Sequence, residues 1–329
     1  MASSIKDPAV RFMANRAIMV AHDTIARLRD FTTDFTPDAV QAGSTMLVQF
    51  FDDGEAEDFN RETNNYGHAS ASSSFVEVKF GTHIKKTFEF TPDDYLNIGS
   101  NRWQNAGDAM GRSVSRGLLK RACAIINKTN IPTSGQDKKV AEDGTITGTL
   151  LNFGAWNEKV YANAITKSVV AEEFYDACSK ADIDPADTVV MLNGKKFGQL
   201  LASLDANVYG DRSAIAEGRI PGLYGFRAVI KNDMLPADSA EHLFGALVPV
   251  NALGIAGRTI PVLNPQEYAE VGTVTDDASG LVIQFRRGGD WRTDCSDLTA
   301  EALFGSKLLQ PTKIVRLVSE ATTPVGPSV

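Results

Sequence analysis

From Phe75 to Phe90 the sequence alternates with a period of two. Val76, Val78, Phe80, Ile84, Phe88 and Phe90 take even positions, and Glu77, Lys79, His83, Lys85, Thr87 and Glu89 take odd ones. Successive side chains on a strand point to opposite faces, so this predicts one long strand, or two around Gly81, with one face buried. Residues 44–51 read as a short strand able to pair with it. Between the two, Asp52 to Ser74 has almost no apolar periodicity. It carries Asp52, Asp53, Glu55, Glu57, Asp58 and Glu62 against one base, Arg61, and ends in the low-complexity run Ala69–Ser74. The pair predicts a projecting two-stranded arm with an acidic tip. Isolated hairpins are marginal in water, so such an arm needs a partner surface.

Two amphipathic helices flank this hairpin. Asp7 is a good N-cap, Pro8 suits the first helical position, and Val10, Met13, Ala17, Ala21, Ile25 and Leu28 recur at three- and four-residue steps. This predicts a helix over 8–30, followed by a connector from Thr32 to Gly43. It reads either as an arm that packs elsewhere or as the first helix of a globular domain. After Thr91-Pro92-Asp93-Asp94 a second helix is expected, strongest from Arg102 to Asn127. Trp103, Met110, Val114, Leu118 and Ile125 share one face, with Ala106 and Ala122 at its edges. Arg102, Arg112, Arg116 and Lys120 share the opposite face, which is either a site for a polyanion or a solvated helix face.

The rest of the chain predicts a loop-rich stretch from Asn130 to Gly154 and a helical stretch from Asn157 to Ala181, broken near Ser168. A strand Thr188–Leu192 and a helix opened by Asn193 follow. Tyr209 to Gly225 reads as a glycine-rich loop and Phe226 to Ile230 as a strand. Further strands are expected near 243–250, 281–286, 298–304 and 313–318, before a tail with Pro324 and Pro327. Helices and strands are segregated, which makes the class α+β. At 329 residues the chain has room for roughly two compact units. With 43% hydrophobic and 22% charged residues, it is not largely disordered. No apolar run is long enough to span a membrane, and with no apolar stretch between Lys6, Asp7 and Arg11 no secretory signal is visible.

Motifs of catalysis are missing. No P-loop, strand-linked dinucleotide fingerprint, zinc-protease helix or nucleophile elbow occurs. His22, His68, His83 and His242 are isolated and read as surface or locally satisfied residues. Cys123, Cys178 and Cys295 are odd in number and unpaired in spacing, which suggests reduced structural thiols in a cytosolic setting. Asp52-Asp53 and Asp276-Asp277 match no calcium-loop pattern, and Gly288-Gly289 reads as a turn. The expectation is no enzyme, no metal and no cofactor. A net charge of −8 argues against a general nucleic-acid condenser and leaves room for a local basic face.

The order of parts then carries a resemblance. Val189-Val190-Met191-Leu192-Asn193 precedes a helix with Phe197 and Leu200-Leu201. Next come Gly218-Arg219-Ile220-Pro221-Gly222-Leu223-Tyr224-Gly225-Phe226, Val229 and Asn232-Asp233-Met234-Leu235-Pro236, and near the end Pro311-Thr312-Lys313-Ile314-Val315-Arg316-Leu317. Over about residues 1–319 this resembles the major capsid proteins of tailed bacteriophages, which share the Hong Kong 97 fold. The resemblance implies an N-terminal arm over 1–43, an extended loop (E-loop) over 44–91, and a peripheral P-domain from 92–164 and 291–319 that holds the spine helix. It further implies an axial A-domain over 165–290 and a tail over 320–329. The chain would be the structural subunit of an icosahedral virion capsid, assembled in the host bacterial cytoplasm as pentamers and hexamers around double-stranded DNA bound without sequence preference. Its partners would be itself, a separate scaffolding protein, a portal protein and, as a further partner, a decoration protein, with no membrane. Arg102, Arg112, Arg116 and Lys120 would face the interior, toward DNA or scaffold. Asp52, Asp53, Glu55, Glu57, Asp58, Arg61 and Glu62 would lie on a neighbouring subunit. In some relatives a loop lysine is welded to an Asn of a neighbour. Here residues 44–74 contain no lysine, and Lys79, Lys85 and Lys86 sit on the return strand, so no weld is expected. The shell protein of a cellular encapsulin-like nanocompartment is the nearest alternative, and a cytosolic hydrolase is the alternative from another class.

Overall fold

The computed structural model describes residues 8–26, 28–36, 45–51, 73–91, 100–127, 129–131, 158–161, 165–204, 218–236, 242–261, 268–275, 282–290 and 295–319. The class is α+β, and among the described residues there are two six-stranded sheets, a two-stranded hairpin and a long helix that packs on the first sheet.

Helix α1 (Pro8–Ala26) buries Met13, Ala14, Ala17 and Ala21, on the stripe that its spacing predicts. A four-residue turn, α2 (Leu28–Phe31), follows. The described residues of this segment pack against their own chain. Strand β1 (Thr33–Asp34) leads to the hairpin strands β2 (Thr45–Phe51) and β3 (Ser73–Lys79), then to β4 (Thr82–Phe90). The alternating segment is thus two strands broken near Gly81, and its even residues face inward throughout.

Helix α3 (Ser100–Ala124) is about 37 Å long. It buries Met110, Val114, Leu118 and Ala122 and is crossed by α1 at very short range. A Cβ placed on Gly107 would lie 2.8 Å from the carbonyl oxygen of Met13, and one on Gly111 would collide with that of Ala17. Small residues on both helices allow this approach. The Arg16 guanidinium donates to the Asp108 carboxylate at 2.6 Å beside the crossing.

Strand β5 (Glu158–Tyr161) replaces the first half of the helix expected over 157–181. It pairs in parallel with a C-terminal strand, and that sheet contact outweighs local helical periodicity. The helical part starts at 167 with a π-helical turn, Val169–Phe174, and continues as α4 (Tyr175–Lys180). Strand β6 (Thr188–Leu192) is where the sequence places it. Helix α5 (Gly194–Ser203) is capped by Asn193, whose side-chain oxygen accepts from Lys196 N at 2.9 Å. The chain then forms β7 (Arg219–Pro221), β8 (Ala228–Lys231), β9 (Leu243–Pro249), β10 (Leu253–Arg258), β11 (Glu270–Thr275), β12 (Val282–Asp290), β13 (Cys295–Leu308) and β14 (Val315–Ser319).

Strand β13 organises the first sheet. Along its length it pairs antiparallel with β4, β12 and β10, and β11 and β1 extend the sheet. Leu298, Ala300, Ala302 and Phe304 of β13 share a core with α3, and Phe90 packs on Trp103 with ring centroids 4.8 Å apart. Gly288 and Gly289 pair with Asp297 and Ser296 inside β12, so the expected turn is strand. The second sheet runs β5-β14-β9-β6-β8-β7. One of its faces is covered by Phe174, Ala177 and Cys178 with Phe197 and Leu200. The other, with Val189, Met191, Ile230 and Val248, joins the core of the long helix. Strand pairing divides the described strands between two layers. β10, β11 and β12 belong with the long helix, and β14 belongs with β6 and β9.

Replacing Gly111 with Ala should destabilise the chain by about 1–3 kcal/mol, because the added methyl overlaps backbone that cannot move aside. Gly198→Ala, in α5 with nothing within 4 Å of the new Cβ, should instead stabilise by about 0.5–1 kcal/mol. Urea unfolding of both variants checks the pair, and equal shifts in the same direction would contradict the crossing.

Candidate functional site

Two thiols and one buried acid are tied into the fold. Burial pushes the Cys123 thiol up to about 12, although the Asn232 amide donates to its sulfur at 3.1 Å and lowers it in part. Burial, with a smaller contribution from the Asp184 charge, also pushes Cys178 up to about 12. Neither is a thiolate near neutral pH, so neither is a nucleophile or a ready metal ligand. His83 Nε2 meets Glu301 Oε2 at 2.9 Å, and the buried Glu301 also pairs with Arg286 of β12. Among the described residues no group of three or more His, Cys, Asp or Glu is placed to hold a metal. His68, Asp52-Asp53 and Asp276-Asp277 lie outside the described residues.

The basic stripe is real as geometry. Arg112, Arg116 and Lys120 are all exposed along one line of α3, about 6 Å apart along its axis. The opposite face is fixed to α1 and to the first sheet, so the charges stand on a rigid rod. Arg102 lies in the same helix, and its side chain is outside the described residues.

The hairpin β2–β3 presents two unlike faces. Met46, Val48 and Val78 are buried with Ala256 and pack against Phe35 and Phe80. This seat depends on Gly305 of β13, where a Cβ would lie 2.5 Å from the Lys79 carbonyl oxygen. The arm expected to be unsupported thus rests by its root on its own chain. Leu47 and Phe75 point the other way and are 67% and 62% exposed. A groove of about 550 Å³ adjoins Phe75, lined also by Val76, Lys307, Leu308, Leu309 and Pro311. The acidic tip residues Asp52, Asp53, Glu55, Glu57, Asp58 and Glu62, with Arg61, lie outside the described residues.

Sequence reasoning missed the glycine seats. Gly107 and Gly111 carry a legible signal, two glycines four apart on the apolar side of a helix. Gly305 carries none, since its need arises from a strand more than two hundred residues earlier.

No protein-family model matches the sequence, and no curated protein does. Solved structures do match by shape. A chain of the capsid structure of cyanophage P-SCSP1u superposes with a TM-score of 0.55 at 13% identity, over 88% of this chain and 86% of that one. The capsid of Ralstonia phage GP4 gives 0.55 at 11% identity over 90% and 91%. A virus-like particle from Pyrococcus furiosus gives 0.50 at 9% identity over 93% and 98%. The chain has the fold of phage capsid chains.

Alkylation at mildly alkaline pH should modify Cys295, which is half-buried, and spare Cys123 and Cys178 until the chain is unfolded in urea. Mass mapping of the labelled peptides reads this out, and native labelling of Cys123 would contradict its place in the core.

Proposed function

We propose that the chain is the major capsid protein of a tailed bacteriophage, a structural subunit that assembles with itself as pentamers and hexamers around double-stranded DNA. The observation that carries this is the likeness of fold to phage capsid chains, which covers about nine tenths of both partners. The hairpin supports it physically. It is seated by one face and offers Leu47 and Phe75 by the other, as a contact made on a neighbouring copy requires. In this reading α3 and the first sheet form the peripheral domain and the second sheet the axial one. That shifts residues 253–290 to the periphery and 315–319 to the axial side. Residues 45–79 are the projecting loop, whose acidic tip lies on the next subunit.

The rod of Arg112, Arg116 and Lys120 faces inward toward packaged DNA or a separate scaffolding protein. Acting without base contacts, it attracts phosphate non-specifically. Portal and decoration proteins complete the expected partners of a virion assembled in the bacterial cytoplasm. A nanocompartment shell is the second reading, favoured by the Pyrococcus furiosus particle, 98% of whose chain is matched.

Full-length protein expressed with its scaffold should give closed shells by electron microscopy, and a monomer under every assembly condition would end the proposal. Arg112→Glu, Arg116→Glu and Lys120→Glu together should leave the unfolding midpoint of the subunit unchanged and reduce the yield of DNA-filled particles. Filled yields equal to wild type would make the stripe a solvated face only.

No covalent weld between subunits belongs to this reading. A lysine nucleophile needs a desolvated amine. Lys79 is 70% exposed and pairs with Glu77 at 3.3 Å, Lys85 is exposed, and Lys86 lies over the Phe88 ring at 5.2 Å. Boiled particles should run as one band of monomer mass on a denaturing gel, and a covalent ladder would overturn this.

A further inference from the structure

The contact between the two sheets is mostly apolar. Val189, Met191, Ile230 and Val248 of the second sheet share one core with α3 and with Leu28 and Phe31 of α2. Backbone joins the layers on one side, where Val250–Ala252 links β9 to β10 and the Ala252 carbonyl accepts from Leu309 N at 2.8 Å. Toward β7, away from that link, the contact is apolar and non-directional, and it does not by itself fix the angle between the layers. Directional contacts at the rim supply what the core does not.

One of these is a two-point ion pair. Arg219 Nε donates to Asp30 Oδ2 at 3.0 Å, and its terminal nitrogen donates to Oδ1 at 3.1 Å. Asp30 belongs to α2, which packs against β6, while Arg219 opens β7 at the outer edge of the second sheet. The partners are 189 residues apart in sequence. The turn that delivers Arg219 is built for it. Gly218 has φ +74°, its carbonyl accepts from Lys231 N at 2.7 Å, and a Cβ there would sit 3.2 Å from the Lys231 Cβ. A paired guanidinium and carboxylate fix both distance and orientation, whereas a single hydrogen bond fixes neither as well. The side chains are 41% and 17% exposed, so the pair is partly desolvated and its two-point geometry adds orientation to whatever stability it contributes.

We propose that the Asp30–Arg219 fork is a latch that sets the angle between the two sheets, and thereby the curvature of the shell built from this chain. The proposal rests on the shell reading above, because an angle within the subunit is multiplied around a closed surface by every symmetric contact. Breaking the fork leaves the core intact and lets the layers turn on it, so subunits of unequal shape enter the same shell.

The test uses the full-length chain. Wild type, Asp30→Ala, Arg219→Ala, Arg219→Lys and the exchanged pair Asp30→Arg with Arg219→Asp are assembled under identical conditions. Particle diameters are measured by electron microscopy, and urea midpoints on the unassembled subunit. The expected result is loss of the single size class in both alanine variants with the subunit still folded under the assembly conditions, a smaller loss in Arg219→Lys, and its return in the exchanged pair. Wild-type diameters in the alanine variants overturn the latch, and so does a broadening that the exchange fails to reverse. If an alanine variant does not fold, the lysine variant and the exchange decide alone. If wild type forms no particles, the shell reading fails. Hydrogen exchange then judges the latch on the subunit: faster exchange at both 28–36 and 219–221 in the variants supports it, and unchanged exchange overturns it.

Discussion

The crossing of α1 on α3 is the constraint from which the rest follows. Taken alone, α3 is a poor helix. Gly107, Gly111 and Gly117 interrupt it, and each glycine lowers helix propensity by about 1 kcal/mol relative to alanine. Each also marks a surface that something touches. Gly107 and Gly111 lie under the backbone of α1, and a Cβ at Gly117 would meet Ile84 of β4 at 3.2 Å. The helix gives up local stability for approach on two sides and regains it through packing. Once it is gripped between α1 and the first sheet, its third side has nowhere to go but solvent, and Arg112, Arg116 and Lys120 occupy that side.

The same logic of close approach positions the hairpin. β3 settles on β13 at Gly305, and the alternation that follows carries straight into β4, which pairs with β13 from Thr82 to Phe90. One strand pattern thus serves two sheets, with the break at Gly81 permitting the change of partner. The outer face of the first sheet is polar by consequence. His83, Glu301 and Arg286 meet there across β4, β13 and β12. A buried carboxylate held between a guanidinium and an imidazole is weak as a source of stability but strict about register, since a slip by one residue would strand the charge.

Much of this was legible because it depends on neighbours in sequence. The alternation around Val78 and Ile84, the stripe of Met13, Ala17 and Ala21, the Asn193 cap and the apolar run Thr188–Leu192 are local signals, and the structure follows them. The misses share one cause. Glu158–Tyr161 is a strand only because β14 lies beside it, and the Gly288-Gly289 pair is extended only because β13 is opposite. β10 and β11, both too rich in glycine or threonine for a clear period, went unread for the same reason. The basic stripe was readable since helical spacing alone gathers it. The seat at Gly305 and the fork between Asp30 and Arg219 were not, because each joins segments that meet only after folding.

On the shell reading proposed above, a subunit arranged in this way would favour assembly over solitude without demanding strong single contacts. Its hairpin exposes two large apolar side chains, too small a patch for a stable dimer by itself. The surfaces involved are unlike one another, so a copy docked by its hairpin still offers its own hairpin to the next. Contacts of that heterologous kind either run on as an open filament or close, and a fixed subunit shape decides which. Closure then converts each later contact into an intramolecular one, so modest surfaces become jointly stable. The rigidity of the glycine-seated core and the weakness of the projecting surface are therefore complementary properties. On that reading the first holds each contact surface in place, and the second keeps wrong contacts reversible until closure is reached.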